Sequence, residues 1–238
     1  MPDRWAERRF TRYPVQLPIL YRIGGSPSPR VGAGWTLDLS EAGASVELAD
    51  CLSLETPITV RLQTEGGPIE LAARVVWAGA QPRAGGGVLH GLAFARDSPI
   101  QLQALRDFLL PLTMASHAGL RLPVEILVTC HVKQPPGPTL QGRTGNISRD
   151  GMLVRLSEAV SPGTVLSLTL HTAKAPVVVE GMAVWVDPEE QRRPGDLISH
   201  GVRFTSLTWT TSLALGLLLA EPSSGSGDRV PRLRDVSE

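Results

Sequence analysis

The 238-residue chain carries 23 basic and 23 acidic residues, so its formal charge is zero and no overall field draws it to DNA, RNA or an anionic membrane surface. Aromatic residues make up only 5%, which argues against a stacking platform for single-stranded nucleic acid. Cys51 and Cys130 stand alone, so neither a disulfide framework nor a CxxC metal site is expected, and a cytoplasmic location fits.

Residues Met1 to Thr11 are polar and charged with no apolar stretch, so no signal peptide is expected, and the arm is expected to stay mobile as far as Pro14 until something pins it. Val15 to Ile23 reads as a first strand, ending in the loop Gly24-Gly25-Ser26-Pro27. In Trp35 to Leu48, WTLDLSEAGASVEL, Thr36, Asp38 and Ser40 alternate with Leu37 and Leu39, the period of a strand with one buried face. Gly43 is expected to make the turn at positive φ, and Ala44 to Leu48 to run back. Pro57 to Thr64 and Ile69 to Ala78 flank a Glu65-Gly66-Gly67-Pro68 turn, and His90 to Phe94 follows a loop rich in glycine and proline. Short strands at this spacing predict a small antiparallel barrel or sandwich. Ile100 to Leu110 instead places Leu102, Leu105, Phe108 and Leu109 at helical spacing.

The chain then repeats itself. Asn146, Ser148 and Gly151 in RTGNISRDGMLVRL stand 108 positions after Asp38, Ser40 and Gly43. Arg121-Leu-Pro-Val echoes Arg12-Tyr-Pro-Val, Ala183-Val-Trp185 echoes Val75-Val-Trp77, and His200-Gly-Val-Arg-Phe204 echoes His90-Gly-Leu-Ala-Phe94. A period this long predicts a duplicated domain, each copy closing its own core. The second copy should use Pro123 to Cys130, Thr139 to Ser148, Met152 to Leu156, Val165 to Leu170, Val177 to Val186 and Gly201 to Phe204 as strands. Leu207 to Ala220 is too short for the ~20 residues of a membrane span and reads as a packed helix, so no span is expected. Residues 221–238 mix Ser, Gly, Pro and charges without periodicity and are expected to be disordered. Trp77 and Trp185 sit in apolar runs and read as core, and His90 and His200 as structural.

Arg8 and Arg12 are spaced RxxxR before the first strand, and Asp38, Ser40 and Gly43 are spaced DxSxxG after it. This pair, in this order, resembles the PilZ family of bacterial cyclic di-GMP receptors over about Glu7 to Ala220. The resemblance implies a mainly β fold: two tandem six-stranded antiparallel β-barrels, each closed by a C-terminal helix. The expected division is 1–112 with complete motifs, 113–220 as a degenerate copy and 221–238 as tail. It also implies cyclic di-GMP as regulatory ligand, with no other cofactor. A guanidinium can fork onto phosphate oxygens or onto guanine O6 and N7, which suits Arg8 and Arg12, with Arg9 assisting. Asp38 would accept from the guanine edge, Ser40 would bond nearby and Gly43 would admit close backbone approach.

The second copy keeps Arg121, Asn146, Ser148 and Gly151 as a weak second site, but His117 stands in place of the first arginine and cannot fork. With no HExxH, nucleophile elbow, carboxylate pair or clustered metal ligands, no enzyme and no metal centre are expected. The expected output is a signal to a separate protein partner in motility, surface attachment or exopolysaccharide control. The alternative is an adaptor that binds no nucleotide.

Overall fold

The structure, a computed structural model, describes residues 10–24, 30–80, 86–112, 121–134, 136–188 and 195–220. Arg8, Arg9, His117 and the tail expected to be disordered lie outside the described residues. Strands β1 (Pro18–Ile23), β2 (Arg30–Ser40), β3 (Gly43–Leu48), β4 (Pro57–Thr64), β5 (Gly67–Ala78) and β6 (Val88–Phe94) form a closed antiparallel barrel in the order β1-β2-β3-β6-β5-β4, and helix α1 (Pro99–Leu112) follows. Closure removes the unpaired edges that a six-stranded open sheet would leave.

Alternation builds the core. On β4, Ile58, Val60, Leu62 and Thr64 face inward, and on β5 Ile69, Leu71, Ala73 and Val75 do so. Helix α1 buries Leu105 and Leu109 and lays Leu102 and Phe108 partly against the same cluster.

The second copy repeats the design. After the two-residue β7 (Leu122–Pro123) come β8 (Leu127–Gln134), β9 (Thr139–Ile147), β10 (Gly151–Leu156), β11 (Val165–Leu170), β12 (Val177–Val186), β13 (Ile198–Ser206) and helix α2 (Trp209–Ala220). Pairing runs β10-β13-β12-β11-β8-β9, and β9 returns to β10, so this barrel is closed as well. The mainly β, twice-closed architecture expected from the sequence is the one observed. The first strand of each copy begins later than expected, at Pro18 instead of Val15 and at Leu127 instead of Pro123, because the residues before it cross the barrel mouth instead of joining the main ladder, and β8 runs on to Gln134.

Trp77 and Trp185 correct the expectation of core tryptophans: they are 49% and 44% exposed. The register of β5 against β6 slips between Val75 and Trp77, and that of β12 against β13 between Ala183 and Trp185. An extra residue at a bulge reverses which side the following side chain takes. Each indole then lies along the outer surface over a glycine: a Cβ on Gly91 would come within 3.3 Å of Trp77 Cβ, and one on Gly201 within 3.5 Å of Trp185 Cβ.

The copies do not close their cores independently. Trp35 of β2 is fully buried, yet it belongs to the cluster of the second barrel with Leu122, Ile147, Leu215 and Leu219. Its indole Nε1 donates to Ser212 O at 3.1 Å, and its ring lies on Gly216 of α2, where a Cβ would sit 3.2 Å from Nε1. Arg149 also lies over the ring, its guanidinium carbon 5.6 Å from the centroid and its Nη2 2.5 Å from Glu47 Oε2. Helix α2 packs on β1, β2 and β4 of the first barrel as well as on β12 of its own. That placement explains why WTTSLALGLLLA has no charged residue: two apolar surfaces cover it. Among the described residues no helix is long and apolar enough to cross a membrane.

Candidate ligand-binding site

The expected site residues that the structure describes meet at one mouth of the first barrel. The segment before β1 is held there by backbone pairing and by one buried threonine. Tyr13 N–H donates to Leu39 O and Leu39 N–H to Tyr13 O, both at 2.9 Å. Thr36, with no exposed surface, donates its hydroxyl to Val15 O at 2.5 Å and accepts from Leu17 N–H at 2.8 Å. This changes the expectation for the arm: from Tyr13 onward it is fixed by the fold without any ligand.

Thr36 also corrects the expected alternation. The β2–β3 register slips between Thr36 and Asp38, so Leu37 falls at a bulge and Thr36 turns inward under the arm while Asp38 stays half-buried at the rim. Arg12, delivered by the fixed arm, places Nη1 2.6 Å from Asp38 Oδ1. The same oxygen accepts from Ser45 N–H at 3.2 Å, across the hairpin. With side chains 39% and 31% exposed, this ion pair contributes only about 0.2–1 kcal/mol, so it orients the two groups more than it holds the arm.

Ser40 is buried and its hydroxyl donates to Gly43 O at 3.0 Å, closing the turn on itself. Gly43 is required for a different reason from the one expected. It is not among the positive-φ residues; instead a Cβ there would stand 2.1 Å from Leu92 O on β6. The glycine lets two strands approach, and Gly151 does the same 2.3 Å from Val202 O.

Two further groups at this mouth were not singled out from the sequence. Glu41, next to Ser40 in the turn, accepts from Arg106 Nε of α1 at 2.9 Å. Phe10 lies 5.6 Å below the Arg96 guanidinium carbon. A cleft of about 460 Å³ opens between the arm, the turn and α1. Thr36 could have been found, since Thr144 repeats it at the same offset and makes the same bonds, to Val124 O at 2.5 Å and from Ile126 N–H at 2.9 Å. The Glu41–Arg106 contact is 65 positions apart and leaves no local pattern.

His90 is fully buried, with Nε2 accepting from Leu52 N–H at 3.0 Å and Nδ1 against Val88 O. Burial holds its pKa below the usual imidazole value. His200 repeats the arrangement with Val160 and Ile198, so both histidines are built into strand-to-loop bonding.

At the second mouth the parts are less complete. Ser148 still donates to Gly151 O at 3.0 Å, but Asn146 Oδ1 is buried with no hydrogen-bond partner among the described residues, where Asp38 has Arg12 and Ser45. Among the described residues no three His, Cys, Asp or Glu side chains group as metal ligands.

The fold and these two mouths define a duplicated six-stranded β-barrel, each copy bearing a crossing arm, a motif hairpin and a following helix. The PilZ domain family matches the chain twice, over residues 6–110 and 118–221, and the chain belongs to that family. Among solved structures it is similar to the PilZ domain of CeSA from a cellulose-synthesizing bacterium, at 24% identity over 43% of this chain and 98% of that one, with a TM-score of 0.36. It is similar to the PilZ domain of YcgR from Escherichia coli, solved with c-di-GMP, at 16% identity over 45% of this chain and 92% of that one, with a TM-score of 0.38. The PlzA protein of Borreliella burgdorferi, in complex with c-di-GMP, is 13% identical over 87% of this chain and 94% of that one, with a TM-score of 0.35. No curated protein matches the sequence.

Proposed function

We propose that the chain is a cytoplasmic receptor for cyclic di-GMP, that the first barrel binds the ligand and that the second is a degenerate copy. The observation that carries this reading is the Arg12–Asp38 pair, fixed at an open mouth by the arm and the hairpin. Arg12 uses one Nη on Asp38 and keeps Nε and the other Nη for phosphate oxygens or for guanine O6 and N7. Asp38 Oδ2 remains to accept from the guanine ring nitrogen and amino group. Arg8 and Arg9, just upstream, supply further cations.

In this reading the protein performs no catalysis and passes its signal to a separate protein partner, in motility, surface attachment or exopolysaccharide control. Calorimetric titration of the full chain tests it. Cyclic di-GMP should bind, and Asp38→Ala should weaken it about tenfold or more, as expected for a charge-assisted hydrogen bond lost from a guanine edge. No binding by the unaltered protein would instead favour an adaptor without nucleotide.

A further inference from the structure

The cleft of about 460 Å³ is lined by Phe10, Tyr13, Glu41, Gln103, Arg106 and Leu109, and so by the arm on either side of Arg12 and by the motif turn, though not by Arg12 or Asp38 themselves. Asp107 also lines it, but its carboxylate already accepts from Gln103 Nε2 at 2.8 Å. Arg106 is the one cation on this wall among the described residues, and it donates through Nε to Glu41, leaving both Nη groups uncommitted. The pair is exposed, 54% and 41%, and such pairs are weak and readily exchanged.

Comparing the two copies shows that these positions are free to differ while the fold is kept. Aligning the buried pair Leu105 and Leu109 with the buried pair Leu215 and Leu219 sets Arg106 against Gly216, and the motif repeat sets Glu41 against Arg149. In the second copy both positions serve the seam between barrels, Gly216 receiving Trp35 and Arg149 lying over it. The barrel-and-helix fold therefore does not need a glutamate and an arginine there. In the first copy they face a cleft instead.

Resting on the receptor reading above, we propose that Arg106 is a ligand-binding residue of the first barrel, taking a phosphate of the cyclic dinucleotide, and that Glu41 is the intramolecular competitor the phosphate displaces. The phosphate brings two acceptor oxygens to a guanidinium fork that Glu41 engages through Nε alone. Glu41 then faces the bound anion with its charge uncompensated, which sets the affinity below what Arg106 alone would give. This makes the two partners of one ion pair act in opposite directions.

The test is calorimetric titration of the full chain with cyclic di-GMP at two salt concentrations. Arg106→Ala should weaken binding about tenfold and reduce its salt dependence, Arg106→Lys should recover part of the loss, and Glu41→Gln should strengthen binding. Thermal unfolding of each variant, run alongside, should stay near that of the unaltered protein. If Arg106→Ala and Glu41→Gln shift the affinity in the same direction, the pair merely steadies α1 on the hairpin and the proposal is wrong. Affinity unchanged by Arg106→Ala would overturn it too, while leaving the receptor reading intact. If the unaltered protein does not bind, both fail together.

Discussion

Thr36 does more for the site than the charged residues that announce it. Its hydroxyl satisfies one carbonyl and one amide of the arm in a place that water does not reach, and those two bonds bring Arg12 to Asp38. Thr36→Val keeps the shape and removes both partners, leaving a buried acceptor and donor unpaired at about 1–3 kcal/mol. Chemical denaturation should show that loss, and hydrogen exchange should show faster exchange at Leu17. Unchanged exchange there would mean that the backbone bonds, between Tyr13 and Leu39 and from Thr36 N–H to Leu17 O, hold the arm without the hydroxyl.

At the scale of elements, the strands with clean alternation, β4 and β5 up to Val75, were legible because every second side chain lies in the core. Legibility ended at bulges. One extra residue after Val75 turned Trp77 outward, and one at Leu37 turned Thr36 inward, and no propensity marks where a ladder slips. The motif residues were legible because Asp38, Ser40 and Gly43 are close in sequence and their spacing is repeated. Glu41–Arg106 was not, because closure of the barrel and the return of α1 bring its partners together. Helix α2 was legible as a packed helix, but its lack of a polar face reported a second neighbour that the repeat alone did not reveal.

That neighbour gives the element scale its own prediction. Trp35 lies on a strand of the first barrel and in the core of the second, so Trp35→Ala should cost about 3–5 kcal/mol, as for other large buried side chains. The loss should appear across the seam. Hydrogen exchange should accelerate in α2 and in β9 and β10, while β4 and β5 stay protected. Acceleration confined to β2 and β3 would show that the second barrel is complete without the first.

At the scale of the molecule, duplication has produced two mouths with different contacts. The first keeps a carboxylate and a guanidinium face to face at an open rim. The second keeps the serine and glycine that close its turn but sends Arg149 from that turn onto Trp35 and Glu47 of the first barrel. The crossing segment Leu122 to Val124 shares a small cleft with Thr64, Glu65 and Gly67 of the first barrel's β4–β5 turn. The duplicated hairpin thus contacts the neighbouring barrel in one copy, while in the other its carboxylate stays at the rim, where the proposed receptor function would use it.

The most direct measurement is a pair of matched substitutions in the full chain, Arg12→Ala and its counterpart Arg121→Ala, each titrated calorimetrically with cyclic di-GMP. Both remove an exposed guanidinium from the equivalent point of a crossing arm, so any general effect of lost charge is shared. Arg12→Ala should weaken binding about tenfold or more, and Arg121→Ala should leave affinity and stoichiometry where they were. Equal losses from the two, or a loss confined to Arg121→Ala, would contradict a receptor whose first barrel holds the ligand.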